Sequence, residues 1–163
     1  MPDPTAPPPD DPVSAFLVAA LVPRDGSHAD GSVDEAEQVR TLHPEVAGAS
    51  IHTAAVLGDA AAIRRFLAAD PTLATAPGGP YGWDPLTHLC FSNYLKHHFD
   101  NGKQFVEAAT LLLEAGASAG TGWWEPGHQP APEWESVLYG AAGIARHPGV
   151  TRLLLEHGAD PND

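Results

Sequence analysis

The most constraining feature of the 163-residue chain is that it repeats itself. The stretch 51–74, IHTAAVLGDAAAIRRFLAADPTLA, reads as a short helix ended by Gly58 and a second helix that begins almost at once. The chain closes on another version of the second half, VTRLLLEHGADPND, with Leu153, Leu154 and Leu155 ahead of Gly158, Ala159, Asp160 and Asn162. Aligning the leading apolar position of each unit puts Phe16, Ile51, Leu86 and Leu138 at equivalent points, 35, 35 and 52 residues apart. A helix pair of this size cannot bury its apolar face alone and gains stability by stacking on its neighbours.

Small side chains recur at one place in this alignment: Ala19 and Ala20, Ala54 and Ala55, Leu89 and Cys90, Ala141 and Ala142. They let neighbouring helices approach closely. Second helices are expected over 33–42, 60–69, 105–115 and 149–157, each apolar at helical spacing. The segment HPEVA at 43–47 echoes DPTLA at 70–74.

These residues resemble the ankyrin-repeat family, and its bacterial members in particular. Its unit opens on Thr-Pro-Leu-His, carries an Ala pair and a helix-ending Gly, and ends on a Leu run and Gly-Ala-Asp-x-Asn. Ile51, His52, Ala54, Ala55 and Gly58 match it in the second unit, Pro85, Leu86 and Gly116 in the third, and Leu138, Gly158, Asp160 and Asn162 in the fourth. The resemblance implies an all-α solenoid of about four stacked helix-turn-helix units joined by hairpin-like loops. The units fall at about 14–48, 49–83, 84–135 and 136–163, after a disordered Pro- and Asp-rich tail at 1–13. It gives His52 a structural role, hydrogen bonding to backbone. The chain stops about where a further hairpin would begin, so the reading also expects a truncated array with sequence missing beyond Asp163.

Departures from the pattern are informative. Asp84 before Pro85 and Ser136 before Leu138 can still cap their helices, and Gly58 and Asn93 sit where the chain must turn out of the first helix of a pair. Insertions lengthen the connections at 23–32, 94–104 and 121–135. Two adjacent connections hold all four tryptophans: Trp83, beside Tyr81, on the shorter, and Trp123, Trp124 and Trp134 on the longer. In the family partners bind along the hairpin side, so these five aromatics are the candidate partner-binding residues. Large rings flanked by Gly and Pro make economical interface anchors. The alternative is that the hairpins pack their tryptophans on one another as a satellite core.

Composition excludes more than it identifies. Eight Lys and Arg stand against 21 Asp and Glu, a formal charge of -13, which repels a phosphate backbone and argues against nucleic acid as a partner. The single cysteine, Cys90, rules out an internal disulfide and falls where a buried, inert thiol is expected. His97, His98 and Asp100 suggest a metal, but adjacent histidines point apart on a helix and no second motif supplies further donors. The pairs Asp34 with Glu35 and Glu133 with Glu135 read as solvated charges at helix starts and on exposed loops. The reading is therefore a non-catalytic, monomeric, cytoplasmic module that binds a protein. It assigns no catalytic residue, metal, cofactor or membrane segment. Two alternatives stand beside it: a metal-dependent or small-molecule enzyme using the His-rich insertion, and the stacked portion of a longer multidomain protein.

Overall fold

A computed structural model describes residues 11–22, 32–97 and 103–162. They are mostly helical, with one two-stranded hairpin. Helix α1 spans Pro12–Ala20 and α2 Val33–Leu42; α3 (Ile51–Leu57) and α4 (Ala60–Ala69) follow. Next come α5 (Pro85–Cys90), α6 (Asn93–His97) and α7 (Lys103–Glu114), then strands β1 (Gly122–Glu125) and β2 (Glu133–Ser136). A single turn, α8 (Val137–Tyr139), runs into a wider π turn at Gly140–Ile144, and α9 (Pro148–Glu156) ends the fold.

Local chemistry sets these boundaries. The side chains of Asp11, Ser32, Ser50, Asp59, Asp84, Ser136 and His147 each accept a hydrogen bond from the first turn they precede, giving otherwise unpaired backbone N–H groups a partner. Ser50 and Thr53 bond each other's backbone N–H reciprocally. Gly58 closes α3 with φ +66°, and a Cβ there would meet the Phe105 ring at 2.8 Å, so both backbone and packing require glycine. The echoing segments adopt one shape: Pro44–Gly48 and Pro71–Thr75 are both 3-10 turns opened by proline.

Packing follows the order of the chain. α1 lies on α2 and α3 on α4, while α3 also touches α1 and α5, and α5 touches α8. A second row is formed by α4 against α7 and α7 against α9. Phe16, Ile51, Leu86 and Leu138 are all buried, as are Ala19, Ala20, Ala54, Ala55, Leu89, Cys90 and Ala141. Ala142 is exposed, in the π turn that follows α8.

Several expectations are corrected. Pro12 and Val13, assigned to the tail, form the first turn of α1, because Asp11 caps it; residues 1–10 lie outside the described part. Asn93 does not turn the chain with a left-handed backbone. It is buried at the start of α6, its Nδ2 3.5 Å from the Ala19 carbonyl. The insertion that follows is not wholly a polar loop: Tyr94 and Leu95 are buried, and the Tyr94 hydroxyl donates to Glu37 at 2.6 Å, tying α6 to α2. The insertion at 23–32 lies outside the described residues apart from Ser32. No helix among them is long and apolar enough to cross a membrane.

Candidate functional site

The longer tryptophan-bearing connection folds as an antiparallel ribbon. Gly122 faces Ser136, Trp123 faces Glu135, Trp124 faces Trp134 and Glu125 faces Glu133. Its base is fixed to the helices on both sides. Ser136 caps α8, the Val137 N–H donates to the Thr121 carbonyl at 2.9 Å, and the Thr121 hydroxyl donates to Asp84. The other oxygen of Asp84 caps α5, accepting from the Thr87 N–H at 2.8 Å. One carboxylate thereby joins the ribbon to the start of a core helix.

Side chains alternate between the faces of a strand, so neighbours in sequence meet different surroundings. Trp123 points inward and is 4% exposed. Its ring lies 4.9 Å from that of Trp83 and 5.9 Å, nearly perpendicular, from that of Phe91. Trp83 is 7% exposed and stacks in turn on half-buried Tyr81, 4.9 Å away. The shorter connection closes on itself through the Gly78 N–H, which donates to the Trp83 carbonyl. Trp83 and Trp123 are therefore the satellite core, and they do not offer a surface to a partner.

Two histidines extend this aromatic layer toward the helices. His52 bonds the Ala76 carbonyl through Nε2 at 2.7 Å, the structural role expected of it, and its ring lies 4.9 Å from that of His88. The sequence reading passed over His88. It is fully buried, its Nδ1 is 2.8 Å from the Asp84 carbonyl, and its Nε2 has no hydrogen-bond partner among the described residues. Burial, reinforced by the neighbouring His52, pushes its pKa down to about 3 against the opposing hydrogen bond at Asp84. The ring is therefore neutral at physiological pH, and acts as a packed core group.

The outward face is different. Trp124 and Trp134 sit directly opposite one another, 57% and 44% exposed. Paired aromatics at this register stabilise a ribbon by contact across the strands, and here they also present two indoles to solvent. Of the five candidate aromatics, the structure leaves these two at the surface.

Beyond Trp123 the inward face turns acidic. Glu135 is 3% exposed and Glu125 fully buried, while Glu133 remains exposed beside His128, whose Nε2 is 2.9 Å from a Glu133 oxygen. The sequence reading placed Glu133 and Glu135 on an exposed loop. For Glu135 that is wrong, because strand alternation turns it under the ribbon. Burial, then its hydrogen bond to Glu125, then the charges of Glu125 and Glu133 raise its pKa to about 8.

The remaining motif residues hold the frame. Pro85 opens α5, Gly116 and Gly158 follow α7 and α9 with positive φ, and Asp160 accepts from the Asn162 N–H at 2.9 Å in the closing turn. Cys90 is buried, and burial followed by the charge of Asp84 pushes its thiol well above the usual range, which leaves it unreactive. His97 is exposed at the end of α6, while His98 and Asp100 lie outside the described residues. Comparison of the chain with protein families, curated proteins and solved structures gives no match.

Proposed function

We propose that this chain is an ankyrin-type array of four helix pairs, and that it works as a non-catalytic module binding a protein through its long hairpin. The array reading is supported by the order of packing, in which α1, α3, α5 and α8 follow one another and α4, α7 and α9 follow one another. It is supported also by the buried Ala19 and Ala20, Ala54 and Ala55, and Cys90 at aligned places in the first three units. Glycine ends a first helix in the second unit, and the paired 3-10 turns close the first and second.

The binding reading rests on one observation. Trp124 and Trp134 are displayed on the outer face of a ribbon whose inner face is built into the fold. An anchor held this way loses little conformational freedom when a partner covers it, and interface energy concentrates in such residues. The test is capture from an extract of the organism that makes the protein. The parent should retain a specific partner, and the double variant Trp124→Ala/Trp134→Ala should lose it while melting at the same temperature. Equal retention by the two would sink the assignment.

A further inference from the structure

The inward face of the hairpin holds a group of donors that the proposed binding role does not use. One ligand atom from each of His128, Glu133 and Glu135 lies within 4.8 Å of the others. Glu125 faces Glu133 across the strands and is within hydrogen-bonding reach of Glu135. It is fully buried, and apart from its contact with Glu135 neither of its oxygens has a hydrogen-bond partner among the described residues. A buried carboxylate whose polar neighbour is another carboxylate is expensive in any fold. Something positive belongs there.

His128 carries the second indication. Its Nδ1 lies 3.2 Å from the Ala131 carbonyl, so a neutral ring donating there has its Nε2 lone pair facing the carboxylates. A ring so oriented by a backbone carbonyl is the usual arrangement of a metal-bound histidine. The 2.9 Å between its Nε2 and Glu133 is near the separation of about 3.0–3.4 Å for two ligands sharing one ion at octahedral or tetrahedral angles with bonds of about 2.1 Å.

We propose that Glu125, Glu133, Glu135 and His128 bind a divalent transition-metal ion of the zinc or manganese type. Three carboxylates supply charge enough to neutralise the ion, and the imidazole favours a first-row transition metal over magnesium or calcium. The acidic balance of the whole chain, -13, raises the local concentration of any cation. The bound ion would cross-link the two strands beneath the ribbon, on the face opposite Trp124 and Trp134. The site stands whether or not those tryptophans bind a partner.

Calorimetric titration of the chelator-stripped full chain with zinc chloride tests this. One equivalent should bind, with magnesium at least about tenfold weaker, and zinc should raise the melting temperature. Glu125→Gln and His128→Ala should each weaken zinc by at least about tenfold and abolish the melting shift. Glu125→Gln keeps the side-chain shape and removes a repelling charge, so without metal it should melt no lower than the parent. His128 is only half-buried and serves as the second probe should Glu125→Gln not fold. No zinc uptake, uptake unchanged in both variants, equal binding of magnesium, or uptake lost in His97→Ala but kept in Glu125→Gln would each overturn the proposal.

Discussion

The rings of Trp83 and Trp123 lie 4.9 Å apart and join two connections that are 40 residues apart in the chain. Trp124, the next residue along, touches none of this and is 57% exposed. The two neighbours should therefore respond oppositely to the same truncation. Trp123→Ala should destabilise the fold by about 3–5 kcal/mol, the usual loss for a buried large aromatic. Trp124→Ala should change stability by less than about 1 kcal/mol. Chemical denaturation of both variants measures the difference, and similar midpoints would mean that the strand faces are wrongly assigned.

Gly58 and Gly82 have nearly the same backbone, with φ of +66° and +68°. An added Cβ at Gly58 runs into Phe105, whereas at Gly82 it meets open space. Gly82→Ala should lose only the backbone preference, about 1 kcal/mol. Gly58→Ala should lose clearly more, and Phe105→Leu in the same chain should recover part of that excess. A double-mutant cycle reads the coupling directly.

His52→Ala removes the bond to the Ala76 carbonyl and a ring packed against His88. A loss of about 1–3 kcal/mol is expected, since a part-buried carbonyl is left without its donor. Partner capture by the folded variant should be unchanged. A variant that keeps its melting temperature but loses capture would give His52 a binding role instead.

Two buried groups make the metal-free protein sensitive to pH from opposite sides. His88 has a folded pKa of about 3 against 6.5 for the free group, so between these values the unfolded chain holds a proton that the folded chain lacks. Stability from this site is complete above pH 6.5 and is lost as the pH falls, on the order of 5 kcal/mol in all. Glu135 runs the other way. Its folded pKa of about 8 exceeds the free value of 4.5, so the folded chain holds the extra proton and stability falls as the pH rises through that window. The two slopes oppose each other between about pH 4.5 and 6.5, where stability should be nearly flat, with a decline on either side. Glu135→Gln should remove the alkaline decline and His88→Gln the acidic one, as followed by melting temperature against pH.

Local features were legible in the sequence and non-local ones were not. The helices expected over 33–42 and 60–69 have those bounds, and α7 and α9 begin and end within two residues of expectation, because periodicity, caps and Gly58 act over a few residues. The resemblance gave His52 a bond to backbone, and its Nε2 lies 2.7 Å from the Ala76 carbonyl. The hairpin was harder. Alternation alone separates Trp123 and Glu125 from Trp124, but which set turns inward depends on Trp83 and Phe91, contributed by other segments. The same dependence hid Glu135, and it hid Glu125 because its partner Glu133 becomes visible only with the strand register. Tyr94 was misplaced for a similar reason: its hydroxyl finds Glu37, 57 positions earlier.

The central claim is that one face of the hairpin belongs to the fold and the other to a partner. It is tested most directly by titrating the captured partner against the parent chain and against Trp124→Ala/Trp134→Ala, with melting recorded on the same samples. The account predicts a fall in affinity of at least about thirtyfold, as for loss of a binding hot spot, with no change in melting temperature. Equal affinity for the two chains would contradict it.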